Sequence, residues 1–138
     1  MTIVYPVIFT ETKDKKNTIL VDIPDINGMT EGYGIADAIT MAKDYIGCKL
    51  YNIADCNFPK ATPIEKVDVS KGRFADNGKS FVSLVDVDID FFRRMMKSRN
   101  VHRNITLPEW LDDMATDAKI NVSAVAQKAI KEKLGIVI

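Results

Sequence analysis

Residues 101–108 read Val101-His102-Arg103-Asn104-Ile105-Thr106-Leu107-Pro108, and two short amphipathic helical patterns follow at once. A strand turns successive side chains to opposite faces. His102, Asn104 and Thr106 therefore point one way, and Arg103, Ile105 and Leu107 point the other. A lone strand ahead of two helices has no partner in its own segment for its N–H and C=O groups. The economical solution is pairing with the same strand of a second chain, which sets a two-stranded antiparallel ribbon on a helical platform. Such a ribbon fits the major groove of DNA, where alternating polar side chains reach base edges. This end reads as an obligate-dimer DNA-binding module.

The two helical patterns support the reading independently. In the first, about Pro108 to Asp117, Leu111, Met114, Ala115 and Ala118 recur near i, i+3, i+4 and i+7, leaving Asp112, Asp113, Thr116 and Asp117 outside. Pro108 and Glu109 suit a first turn, which needs no N–H partner and favours a carboxylate. In the second, about Val122 to Leu134, the stripe is Val122, Val125, Ala126, Ala129, Ile130 and Leu134, with Asn121 as N-cap and Gly135 as the stop. Trp110, the only tryptophan, is expected to pack over the dimer core.

The stretch Val101 to Gly135 resembles a ribbon-helix-helix domain, from the strand through Leu107-Pro108-Glu109 to the turn Ile120-Asn121-Val122-Ser123. The resemblance puts base reading on His102, Asn104 and Thr106. It puts the phosphate clamp on Asn121, Val122 and Ser123, where free N–H groups meet the positive end of a helix dipole. Arg99 and Arg103 are further phosphate contacts, and Ile105, Leu107, Leu111, Val125 and Ile130 form the dimer core. Two positions depart from the family. Lys119 stands where glycine is common and φ is positive. Arg103 stands at an inward strand position that is usually apolar, so it must snorkel, pair with Asp112 or Asp113, or swing out to a phosphate.

The preceding residues read as α+β. Ile3 to Thr10 forms a strand with Ile3, Tyr5, Val7 and Phe9 on one face, and Lys13-Asp14-Lys15-Lys16-Asn17 is a hairpin loop. Thr18 to Ile23 is the return strand, and Pro24 and Gly28 punctuate a turn before a short strand at Met29 to Gly32. From Gly34 a helix begins, with Asp37 at its third position and a core stripe of Ile35, Ala38, Ile39, Ala42, Tyr45, Ile46 and Leu50. Asn57 to Pro63 is a loop, Phe81 to Val87 a fourth strand, and Ile89 to Met96 a short helix leading to Ser98-Arg99-Asn100 as the link. The chain divides into 1–97 and 98–138.

Tyr5-Pro6-Val7-Ile8-Phe9, Ile23-Pro24-Asp25-Ile26-Asn27-Gly28, Thr30-Glu31-Gly32, the helix from Ile35-Ala36-Asp37-Ala38-Ile39 to Ala42-Lys43, and Val85-Asp86-Val87-Asp88-Ile89-Asp90 occur in this order. Together they resemble the HicB antitoxin domain, a βββαβ unit like a truncated ribonuclease H. Where the family often has Asp-Thr or Asp-Ser before the helix, this chain has Tyr33-Gly34, and glycine is an acceptable N-cap. The resemblance implies a type II antitoxin. Its N-terminal domain would bind and inhibit a HicA-like basic ribonuclease that cleaves mRNA, and its ribbon would bind the promoter of its own operon. Asp22, Asp25 and Glu31, near the third strand, are the acids assigned to the toxin contact. The homodimer forms through the ribbon, with further association of dimers left open. The alternative is a ribbon-helix-helix transcription regulator with an N-terminal ligand-sensing domain.

Composition agrees with an ordinary globular protein: 138 residues, 46% hydrophobic and 28% charged. The net charge of zero hides an uneven spread. Residues 1–92 hold ten Lys/Arg against fourteen Asp/Glu, net −4, and residues 93–138 hold nine against five, net +4. An acidic body and a basic tail suit a basic protein and DNA phosphate respectively. No signal peptide precedes Tyr5 and no apolar run approaches a membrane span. Cys48 and Cys56 are eight apart without a nearby histidine, so they read as reduced thiols, Cys48 buried on its helix, in a cytoplasmic protein.

No catalysis, cofactor or metal is expected. Asp86, Asp88 and Asp90 have the spacing that opens a calcium loop. Phe91, however, stands where that loop needs glycine and Lys97 where it needs a bidentate glutamate. A ribonuclease H site needs converging carboxylates, and the first strand offers Tyr5, Val7 and Phe9. The three aspartates read instead as a helix N-cap and a solvated strand face. Phosphate loops, GxSxG elbows and His/Cys pairs do not occur.

Overall fold

The structure is a computed structural model and describes residues 1–97 and 100–136. It separates into two compact units, Met1–Ser98 and Arg99–Ile138.

The first unit is a four-stranded, wholly antiparallel sheet in the order β3-β2-β1-β4, with a helix against one face. Strand β1 is Thr2–Thr12, β2 is Thr18–Ile23, β3 is Gly28–Tyr33 and β4 is Gly78–Asp88. Helix α1 is Ile35–Leu50, between β3 and β4, and α2, Ile89–Met95, follows β4. Tyr5, Val7 and Phe9 of β1 meet Ala38, Ala42, Ile46 and Leu50 of α1 in one apolar core, joined by Val21, Ile23, Val85, Val87, Ile89 and Phe92. This alternation is the two-residue period of a strand laid against the 3.6-residue period of a helix. Ile35, expected in the stripe, is exposed, because the helix begins at that residue, at the margin of the sheet.

Two local devices seat α1. Gly34 takes φ of 89° as its N-cap, and the Asp37 carboxylate accepts a hydrogen bond from Tyr33 N at 2.8 Å. Gly32 allows the close approach, since a Cβ there would fall 2.5 Å from the Ala38 main chain. Cys48 is exposed, which corrects the expectation of burial: it follows Gly47 onto the solvent side of the helix.

The opposite face of the sheet is covered as well. Pro6 and Ile8 point away from α1 and are nonetheless buried. The segment 51–77 lies over them, built from single 3-10 turns at Asp55–Asn57, Ile64–Lys66, Val69–Lys71 and Ala75–Asn77. Returning the chain this way lets β4 run antiparallel to β1 along all 11 of its residues. The expected loop at Asn57 to Pro63 is only part of this cover.

In the second unit, α3 is Glu109–Asp117 and α4 is Val122–Leu134. Pro108 is the N-cap of α3 rather than its first residue. Asn121 caps α4, its side-chain oxygen accepting from Ala124 N at 3.1 Å. Residues 100–108 form no strand within the single chain. A strand is defined by its ladder hydrogen bonds, and the partner expected for this one lies in a second chain.

The charge imbalance does not follow the units. Residues 1–98 hold thirteen Lys/Arg against fourteen Asp/Glu, net −1, and residues 99–138 hold six against five, net +1. The −4 and +4 came from a cut at residue 92, ahead of Arg93, Arg94 and Lys97. The first two of these belong to α2 and all three to the first unit.

Candidate functional site

Among the described residues from 100 to 136, none is buried. Large apolar side chains of both helices and of the 100–108 segment stand exposed: Trp110 is 64% exposed, Ile130 58%, and Ile105 and Val125 56% each, while Ala115, Val122 and Ala126 are half-buried. Leu111, Met114, Ile120 and Leu134 are exposed too, and Leu107 is half-buried. Apolar surface in this proportion is the mark of an interface face.

His102, Asn104 and Thr106 are all exposed. His102, Arg103 and Asn104 lie with Val122, Ser123, Ala126 and Gln127 along one cleft of about 520 Å³, so the strand segment and the first turn of α4 adjoin each other. Thr106 lies instead on a second cleft with Ile105, Leu107, Glu109 and Val122. Asn121 keeps its side chain on its own helix, which leaves main-chain N–H groups and the Ser123 hydroxyl for an anion. Arg103 makes no ion pair with Asp112 or Asp113 among the described residues; it lines the first cleft. Arg99 lies outside the described residues.

Lys119 takes φ of 55°, the left-handed conformation expected from its position. Lys119 N donates to Thr116 O and Ile120 N donates to Ala115 O, which closes α3 with the paired hydrogen bonds of a Schellman turn. Gly135, φ 71°, closes α4 in the same way through Gly135 N to Glu132 O and Ile136 N to Lys131 O.

In the first unit the three acids assigned to a toxin contact have different surroundings. Asp22 is 5% exposed and accepts from Arg73 N at 3.0 Å, so it anchors the covering segment and is corrected as a surface contact. Asp25 is half-buried and accepts from Thr62 N at 2.9 Å and Thr62 Oγ1 at 2.6 Å. Glu31 alone of the three is fully at the surface, between exposed Met29 and Tyr33 on one face of β3. The anchoring roles of Asp22 and Asp25 depend on partners 51 and 37 residues away, which no local pattern announces.

These anchors border a cleft of about 320 Å³ with Pro6, Ile8, Pro24 and Val67 as apolar walls and Lys66 and Lys71 at its margin. Asp68 closes one end, its carboxyl held below the usual range by hydrogen bonds from Ser70. Tyr5 donates to Pro59 O at 2.6 Å, and burial raises its phenol above the ordinary value.

Asp86, Asp88 and Asp90 each have a partner. Asp88 caps α2 by accepting from Asp90 N and Phe91 N, Asp86 lies 3.5 Å from Lys43 Nζ, and Asp90 binds the Met1 ammonium group. No group of three metal-ligating side chains occurs among the described residues. No helix among them is long and apolar enough to cross a membrane.

No protein-family model matches the sequence. No curated protein matches it significantly either. Among solved structures, the fold is similar to a chain from the toxin–antitoxin complex from Streptococcus pneumoniae, at a TM-score of 0.61 and 23% identity, covering 96% of this chain and 99% of that one. It is also similar to the Burkholderia pseudomallei antitoxin HicB, at a TM-score of 0.49 and 21% identity, covering 96% and 97% of the two chains. At these identities the first likeness establishes the fold, and the second is too loose to add to it.

Proposed function

We propose that this chain is a HicB-family type II antitoxin without catalytic activity, acting in the cytoplasm. Its first unit binds and inhibits a HicA-like mRNA-cleaving toxin. Its second unit dimerises as a ribbon-helix-helix domain and represses the chain's own operon by binding promoter DNA. The observation that carries the reading is the fold likeness to a chain of a toxin–antitoxin complex, which runs over 96% of this chain and takes in both units. The ordered HicB-like motifs in the first unit support it. So does a second unit with no buried residue among those described, whose exposed apolar side chains require a partner.

In this reading His102, Asn104 and Thr106 contact bases, and Arg99, Arg103 and the Asn121-Val122-Ser123 turn contact phosphates. Ile105, Leu107, Leu111, Val125 and Ile130 form the dimer core. Glu31, flanked by Met29 and Tyr33, is the acid best placed to meet a basic toxin. Charged contacts steer the encounter, while the apolar neighbours set the dissociation rate.

The test is co-expression with the product of a neighbouring short gene encoding a basic protein with one central histidine. Co-purification and loss of RNA cleavage are expected, together with retention of the operon's promoter fragment in a mobility-shift assay. A folded chain that neither binds nor inhibits that product overturns the antitoxin reading. The cleft beside Asp22 and Asp25 favours a second reading, a ligand-sensing transcription regulator. A promoter-binding chain that fails to inhibit, and whose melting temperature rises with a small metabolite, would establish that one instead.

A further inference from the structure

Strand β4 is paired along one side only. It is the outer strand of the sheet, and all 11 of its residues pair in unbroken register with β1, from Thr12↔Gly78 to Thr2↔Asp88. No backbone hydrogen bond among the described residues reaches its other side. Sheet edges are ordinarily blunted by charges, proline, a bulge or a covering element. Here the charges sit at the two ends, Lys79 at one and Asp86 and Asp88 at the other. The run between them, Ser80-Phe81-Val82-Ser83-Leu84-Val85, has neither charge nor proline. Phe81 and Leu84 are exposed, as is Val4 on the same face as Leu84.

We propose that this edge pairs with the same edge of a second copy, antiparallel about a two-fold axis through Ser83, so that two first units share one eight-stranded sheet. An isologous contact of this kind sets residue i against j and j against i. Centred on Ser83, the strand is complementary to itself. On one face Val82 meets the second copy's Leu84, and Ser80 offers its hydroxyl to the second copy's Asp86. On the other, the exposed Phe81 falls in register with the second copy's Val85, whose side chain is already packed in its own core. Ser83, which shares the smallest side chain of the central run with Ser80, lies on the axis, where the copies meet themselves. Lys79 of each strand falls opposite the second copy's Val87, and Asp88 opposite its Gly78, so no two like charges are directly opposed. A centre at Val87 would instead set Asp86 against Asp88. The Lys43–Asp86 pair, 3.5 Å apart and exposed on both sides, is of the weak surface kind that opens as a strand approaches. The pairing involves neither DNA nor a toxin, so it stands apart from the function proposed above.

Directly opposed residues in an antiparallel pair have Cα atoms about 4.5–5.5 Å apart, within disulfide range. The test uses the full chain with its exposed cysteines removed by Cys48→Ser and Cys56→Ser. Adding Ser83→Cys should give a disulfide-linked pair of chains as the main band on a non-reducing denaturing gel after mild oxidation. Ser80→Cys alone should stay a single chain, because two copies of residue 80 lie about 20 Å apart in this register. Ser80→Cys combined with Asp86→Cys should cross-link, which keeps the test intact should the Ser83 variant fold poorly. Leu84→Lys should lower the Ser83→Cys cross-link at least tenfold with the circular dichroism unchanged. The proposal is overturned if the folded Ser83→Cys chain remains uncross-linked, if Ser80→Cys alone cross-links equally well, or if Leu84→Lys has no effect.

Discussion

Arg93 Nη2 lies 2.7 Å from Asp55 Oδ1, and this pair ties α2 to the chain that leaves α1. The same guanidinium donates through Nε to Tyr51 O at 3.0 Å and through Nη2 to Ile53 O at 2.9 Å. Its carbon stands 5.7 Å from the centre of the Phe58 ring. In the sequence Arg93 counts toward a basic tail; in the fold it holds the start of the covering segment in place.

Arg93→Ala should therefore lower the stability of the first unit by about 1–3 kcal/mol, since it strands two partly buried carbonyls. Arg93→Lys should recover only part of the loss, because an ammonium cannot serve the same fork of acceptors. Urea unfolding of both variants reads the difference, and equal stability of Arg93→Ala and the parent chain would refute the latch. Operator affinity should not change.

Asn104→Ala should weaken operator binding by about 1–3 kcal/mol with folding intact, as expected for loss of one base contact. A mobility-shift titration at fixed salt measures it. An unchanged affinity would remove Asn104 from the reading strand.

Ile105→Asp or Leu107→Asp should abolish dimerisation through the second unit and DNA binding together, because no described residue there is buried within one chain. Analytical ultracentrifugation and mobility shift would report the two losses. For the parent chain, melting of this unit should depend on protein concentration. DNA binding that survives in a chain lacking the dimer contradicts the ribbon arrangement.

Lys119 and Gly135 close their helices with the same hydrogen bonds, but only one of them is glycine. Lys119→Gly should stabilise the second unit by about 1 kcal/mol by relieving a left-handed non-glycine residue. Gly135→Ala should cost a similar amount, for conformation alone, since no atom lies within 4 Å of the added Cβ. Thermal melts at matched concentration compare them, and a neutral pair of substitutions would rule out strain at these turns.

The hydrogen bond from the Met1 ammonium to Asp90 raises the amine above its usual value of 8.0 and lowers the Asp90 carboxyl below 3.8. The raised amine contributes stability that is complete below pH 8 and is lost as pH rises through its folded value. The lowered carboxyl contributes stability that is complete above about pH 4 and is lost as pH falls through its own. The contact should thus favour the fold most between those limits. Asp90→Asn should flatten the alkaline decline in melting temperature, and added salt should mask it because both groups are exposed. An identical alkaline decline in Asp90→Asn would show that the amine is not its source.

Strands β1 to β4 and helices α1 to α4 were legible in the chain because each announces itself locally. Alternation marks Tyr5, Val7 and Phe9, a 3.6-residue stripe marks Ala38, Ala42 and Ile46, and Gly34, Asn121 and Gly135 mark helix ends by the conformations and hydrogen bonds they permit. Even the cost at Lys119 could be read, since a helix ending there requires positive φ whatever residue is present. The cover at 51–77 could not. Its turns are single and irregular, and it is held by Asp22 to Arg73, Asp25 to Thr62 and Arg93 to Asp55, pairs separated by 37 to 51 residues. A carboxylate in a sequence is only an acid; whether it faces a partner or buries itself under a loop depends on what the folded chain brings to it. The apparent division into acidic body and basic tail dissolved for a plainer reason: it was counted from residue 92, while the boundary read from the sequence after residue 97 already keeps Arg93, Arg94 and Lys97 with the first unit, and only the fold shows what Arg93 holds there.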